Sequence, residues 1–197
     1  MASTDFVTAG KPKAGGAAFV APCGTGLPTS ATAALAEVFR GLGYISSDGV
    51  TNANSPSGES VKAWGGDEVL HYQTEKPDSF KFTMIEAMNA DVLKVVYGDN
   101  NVTGDLERGL AIRANSEEQV ERAWVFDMVL KGGVAKRVVV PKGKVTAVEE
   151  IVYKDNGAVG YGVTVSAAPG EDGDTHKEYM VRTKAEAAAH GEQEDEE

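Results

Sequence analysis

The chain has 197 residues, with 30 acidic and 19 basic side chains and a formal net charge of −11, which argues against a protein that grips phosphate through clustered Lys and Arg. A hydrophobic share of 42% is ordinary for a globular chain, and a single cysteine, Cys23, rules out an intrachain disulfide framework and a cysteine-based zinc finger. No apolar run approaches the roughly 20 residues of a spanning helix, and the N-terminus MASTDFVTAGKPK lacks the order of an export signal, so no membrane anchor is expected.

In chain order, the first predicted element is a helix. Thr29 or Ser30 is placed to cap a run in which Leu35, Val38, Phe39 and Leu42 share one face, ended by Gly41 or Gly43. The stretch from Ser46 to Asp67, rich in Ser, Asn, Gly and Pro, carries almost no core signal and reads as an unusually long loop. Within it Trp64 is costly to leave in water. Two readings stay open: the loop orders against a partner, or it folds back and Trp64 plugs the subunit's own core.

Strands follow. Phe80, Phe82 and Met84 alternate with Lys81 and Thr83, the period of a half-buried strand. Asn89 is placed to cap a second helix, Ala90–Tyr97, with Val92, Leu93, Val96 and Tyr97 on one stripe and Gly98 at its end. Trp124, Phe126, Met128 and Leu130 form an apolar face opposed by Asp127 and Lys131, so Asp127 reads as a solvated carboxylate. Tyr161, Val163 and Val165 alternate with Thr164 and Ser166, while 68–74, 110–114, 136–140, 145–153 and 177–182 are weaker candidates. Turn chemistry at Gly132-Gly133 and Asp155-Asn156-Gly157 separates such runs. The predicted class is mainly β: an antiparallel sandwich or partial barrel with one or two short flanking helices. This domain is expected to span 1–182. The last residues, 183–197, carry six carboxylates against Lys184 and read as an acidic, solvated tail.

The sequence holds no evident catalytic set. His71, His176 and His190 are scattered, and no HExxH pair, GxSxG elbow, Walker loop or dinucleotide fingerprint occurs. Gly24-Thr25-Gly26 reads as a turn. Nothing near Cys23 in sequence activates it. Glu149 and Glu150, as strand neighbours, would point to opposite faces. Asp48 and Asp67 bracket the long loop without the dense acidic spacing of a calcium loop, so turn or capping roles are preferred. No enzyme activity, metal or cofactor is expected.

Several segments together resemble one family. They are Gly10-Lys11-Pro12-Lys13 leading into Gly15–Pro22, Leu42-Gly43-Tyr44-Ile45-Ser46 with Asp48-Gly49, and Lys62-Ala63-Trp64-Gly65-Gly66-Asp67. Thr74-Glu75-Lys76 then runs into Phe80–Glu86, Val95-Val96-Tyr97-Gly98-Asp99 follows, and Asp127–Gly133 leads into Arg137–Pro141. In order and spacing these resemble the major tail tube proteins of long, non-contractile-tailed (siphovirus-type) bacteriophages. The resemblance implies a β-sandwich whose copies close into sixfold rings, with strands of neighbours merging into one barrel around a channel. Stacked rings would form the conduit for the genome. It implies a virion tail protein made and assembled in the host cytoplasm, with itself, the tail tip, tape-measure and tail terminator proteins as partners, and DNA passing without sequence-specific binding. On this reading the long loop carries ring-to-ring contacts through Asp48, Asn52, Asn54, Pro56, Lys62, Trp64, Gly65, Gly66 and Asp67. A carboxylate-rich channel would repel phosphate, and Glu75, Glu86 and Asp127 are candidates for its lining. A soluble β-sandwich binding module, with Trp64 in a ligand-gripping loop, is the alternative from another class. A tube component of a phage-derived secretion or injection machine would share the fold.

Overall fold

The computed structural model describes residues 2–183, and antiparallel strands dominate them. The strands before the helix are β1 (Lys11–Pro12), β2 (Ala18–Pro22), β3 (Arg40–Gly41), β4 (Ile45–Asn54), β5 (Ser57–Lys62), β6 (Glu68–Glu75) and β7 (Asp78–Met84). After the helix α1 (Ala90–Tyr97) come β8 (Val102–Asp105), β9 (Gly109–Ile112), β10 (Arg122–Leu130), β11 (Val134–Val148), β12 (Tyr161–Ala168) and β13 (Lys177–Arg182).

Nine strands share one sheet, in the order β3-β2-β10-β11-β12-β7-β4, with β1 added to β10 and β13 to β11. The long β11 makes the sheet double over. Its first half pairs with β10 and β13, and from Lys142 onward it pairs with β12. Two sequence candidates, 136–140 and 145–153, are therefore one bent strand that stops at Val148. The β10–β11 register shifts between Val140 and Gly143, and Gly143 has no room for a side chain there, because an added Cβ would lie 2.7 Å from the Trp124 ring. Trp124 Nε1 donates to the Gly143 carbonyl at 3.1 Å, giving this buried indole its partner.

Doubling over brings β7 against β10, which are not hydrogen-bonded neighbours. Phe80 stacks on Phe126 with centroids 5.4 Å apart, and Phe82 meets Trp124 and Phe126 edge-on at 6.0 and 5.2 Å. These rings, with Val138, Val140, Val163 and Val165, form the centre of a sandwich-like core. The helix α1 closes one end with Val92, Leu93, Val95 and Val96 buried, and the Asn89 side chain accepts from the Asp91 amide at its start.

The expected helix after Ser30 is absent. Residues 23–39 form an irregular strap instead. The Ser30 hydroxyl accepts from the Ala33 amide, and the Ser30 and Ala33 carbonyls accept from the Arg137 guanidinium at 3.1 and 2.6 Å. A buried cation thus takes carbonyls that a helix would need for its own ladder, and tertiary structure overrides local propensity.

Candidate assembly surface

The segment expected to be a structureless loop is ordered. β4 pairs with β7 from Ile45↔Met84 to Asn54↔Asp78, and β5 pairs with β6 from Ser57↔Glu75 to Lys62↔Glu68. These two ladders lie in line as one long hairpin, interrupted where Ser55-Pro56 faces Lys76-Pro77. Neither proline has an amide proton to donate, so the ladder breaks there. Beyond the break, every residue of β5 and β6 is exposed. The outer half of the hairpin is an arm standing clear of the core. At about 3.3 Å per residue, the six residues of β5 span roughly 20 Å.

The tip is a tight turn. Ala63 N–H donates to the Asp67 carbonyl at 2.7 Å, and Gly66 N–H donates to the Ala63 carbonyl at 3.0 Å. Gly65 and Gly66 have φ of +116° and +99°, conformations that side-chain-bearing residues rarely adopt. This turn points Trp64 into solvent with a relative exposure of 106%. The fold-back reading, with Trp64 in its own core, is therefore excluded. Val61 pairs with Leu70 and Glu59 with Tyr72, so these four share one face of the arm. Val61, Leu70 and Tyr72 are all exposed there, and Tyr72 Oη donates to Glu59 at 3.0 Å.

The arm's root is tied to the body by Asp78. This buried carboxylate accepts from Asn52 Nδ2 at 2.8 Å and Thr175 Oγ1 at 2.6 Å, and lies 2.5 Å from His176 Nδ1. Burial by itself pushes the Asp78 carboxyl up. The hydrogen bonds from Thr175, His176 and Asn52, with the charge of His176, outweigh it and hold the carboxyl below its ordinary 3.8. Sequence reasoning missed this cluster because Asn52, Asp78 and His176 come from three distant segments.

The expected assembly residues fall into two places. Asn52, Asn54 and Pro56 lie at the root, and Lys62, Trp64, Gly65, Gly66 and Asp67 at the tip. Asp48 is remote from them, in a bulge between Ile45 and Val50 at the opposite end of β4, where its carboxylate accepts from Ser46 Oγ.

Of the three carboxylates expected on a channel face, Asp127 requires correction. It is 3% exposed, and its two oxygens accept from Arg137 Nε and Nη2 at 2.6 and 2.7 Å. The strap over 23–39 covers the face that strand alternation assigned to solvent. Glu86 is half-buried, accepting from the Tyr44 amide and from Asn89 Nδ2 at 3.0 Å each. Glu75 is exposed at the root of the arm. Among the described residues, no three His, Cys, Asp or Glu side chains converge to hold a metal ion, and no helix is long and apolar enough to cross a membrane.

A model of the phage tail tube protein family matches residues 5–190. The chain belongs to the phage tail tube protein family. No curated protein matches it. The family assigns a structural role in the tail of a virion, and the mainly β, sandwich-like architecture of this tail tube protein agrees with what the sequence predicts. The matched span includes the whole arm and runs beyond Thr183, so part of it, like all of the acidic tail after that residue, lies outside the described residues.

Proposed function

We propose that this chain is the repeating subunit of a long, non-contractile tail tube: six copies close into a ring, rings stack, and the genome leaves through the channel. The observation that carries the self-assembly step is the arm. An isolated two-stranded hairpin is marginal in water, yet this one presents Trp64 and the Val61–Leu70–Tyr72 ladder with no partner among the described residues of its own subunit. Such a device is stable and useful when a neighbouring copy covers it. Its residues Asn52, Asn54, Pro56, Lys62, Trp64, Gly65, Gly66 and Asp67 are the proposed ring-to-ring contacts.

Ring closure draws support from the sheet edges. Among the described residues β4 pairs only with β7, and β13 only with β11, so each offers an edge to a neighbouring strand. The net charge of −11 suits a conduit that DNA crosses without sticking. Tape-measure, tail tip and tail terminator proteins are the proposed neighbours inside the tube and at its ends.

The test is Trp64→Ala, read in two assays. Tube yield in negative stain is expected to collapse, since truncating a central interface aromatic commonly costs about 2 kcal/mol or more per contact. The monomer's unfolding curve is expected to stay in place. Wild-type tube yield in the variant would overturn the role given to the arm.

A further inference from the structure

Each half of the doubled sheet has an outward face, and the two differ. On β10 the outward residues Ala123, Val125 and Asp127 are buried, with the strap over 23–39 lying across Asp127. The other half, formed by β4, β7, β12 and the end of β11, sends Phe80, Phe82, Val163 and Val165 inward, so the alternate residues face away from the core. Thr51, Lys81 and Thr164 form one outward row across three strands, and Ser79, Ser166 and Lys144 form the next. With Thr83 and Lys142 they make a surface of hydroxyls and lysines, on which Thr51 and Lys81 are fully open to solvent.

Every lysine on this face is already occupied. Lys81 pairs with Glu149, Lys144 with Glu118, and Lys142 with Glu121 at 3.2 Å. Elsewhere pairing is patchy: Lys76, Arg108, Lys131 and Lys154 are exposed and, among the described residues, make no ion pair. One of the three pairs is seated by the backbone itself. Gly162 lies beneath the Glu149 side chain, and an added Cβ there would collide with its carboxylate, so the bare glycine lets Glu149 lie across β12 toward Lys81 on β7. Exposed pairs add little to folding stability, so stability does not explain their concentration here.

We infer that Glu118, Glu121 and Glu149 are shielding residues, which keep the lysines of this face from gripping the phosphates of a DNA duplex moving past it. The inference rests on the conduit reading above and makes the open face the channel wall. A free lysine binds DNA by releasing counterions from its phosphates, and a tube would repeat that grip in every subunit. A paired lysine presents a short dipole instead, screened beyond about 8–10 Å at physiological salt. The hydroxyls between the pairs hold water and carry no charge. The wall is therefore compensated in charge, in place of the carboxylate excess expected from Glu75, Glu86 and Asp127.

Co-sedimentation of a fluorescent DNA duplex with assembled tubes at low salt tests the shielding. Wild-type tubes are expected to leave the duplex in the supernatant. The triple variant Glu118→Gln, Glu121→Gln, Glu149→Gln should retain at least tenfold more, and the retention should collapse as salt rises. A control with the same charge change at exposed sites off this face, Glu37→Gln, Glu107→Gln, Asp155→Asn, should behave as wild type. No retention by the first variant, or equal retention by both, would overturn the inference; if the triple variant does not assemble, Glu149→Gln alone is read in the same way. Ala147→Cys in a Cys23→Ser background places the face independently, since Ala147 is exposed beside Thr164 in the same row. A small maleimide should label it in free subunits and in tubes, and a maleimide on a large polymer only in free subunits. Labelling of tubes by the large reagent would put the face outside and overturn the inference while leaving the tube standing. A wild type that forms no tubes would overturn the conduit reading and the inference with it.

Discussion

Asp127 shows how one side chain can reverse its expected part. In an alternating strand it sits on the polar face, yet the strap over 23–39 seals it against Arg137, whose guanidinium also ties down Ser30 and Ala33. Removing one partner of a buried pair leaves an uncompensated charge, at a typical cost of about 3–5 kcal/mol. Arg137→Ala is therefore expected to shift the urea midpoint strongly downward, and a shift worth under about 1 kcal/mol would mean that Lys13, 3.7 Å from Asp127, suffices alone. Asp78 makes a pH-dependent contribution. Its folded carboxyl titrates below the ordinary 3.8, so its stabilisation is present above that pH and is lost as pH falls through the folded value. Asp78→Asn should be less stable than wild type at pH 7, with the gap closing as pH drops below about 4. A gap independent of pH would remove the ionised carboxylate from the explanation. For Trp64, full exposure predicts that Trp64→Ala changes monomer stability by no more than about 0.5 kcal/mol in chemical denaturation.

Among the elements, what the sequence revealed depended on burial. The strand at 80–84 is legible because Phe80, Phe82 and Met84 all point into the core while Lys81 remains exposed. In the arm only β6 was legible, as the weaker strand candidate 68–74; β5 was not, because its residues Ser57–Lys62 are all exposed and include a single apolar side chain, Val61. The usable signal was punctuation, with Pro56 and Pro77 placed on either side of a Trp-Gly-Gly turn. The helix expected after Ser30 failed because Arg137, more than a hundred residues away, competes for its carbonyls. The Asp78 cluster was hidden by the same sequence distance. Because the ladder breaks at the two prolines, the arm is separable from the core. Replacing Ser57–Glu75 with an Asn-Gly turn should leave a cooperatively folded sandwich, checked by near-ultraviolet circular dichroism and thermal unfolding. A molten product would show that the arm helps hold the body together.

Over the whole molecule, the same strands serve two tasks. Their inner faces meet across the doubled sheet and hold the subunit together, while the arm and, among the described residues, the outer edges of β4 and β13 take no part in that core. A family of tail tube proteins is where such a division is useful, since one chain must be both a stable brick and its own mortar. The most direct test of this account is electron microscopy of the purified wild type beside the variant lacking Ser57–Glu75, at matched concentrations. The account predicts hollow tubes of sixfold rings from the wild type and only folded, unstacked subunits or single rings from the variant; tubes of equal length from both, or a wild type that stays monomeric at high concentration, would contradict it.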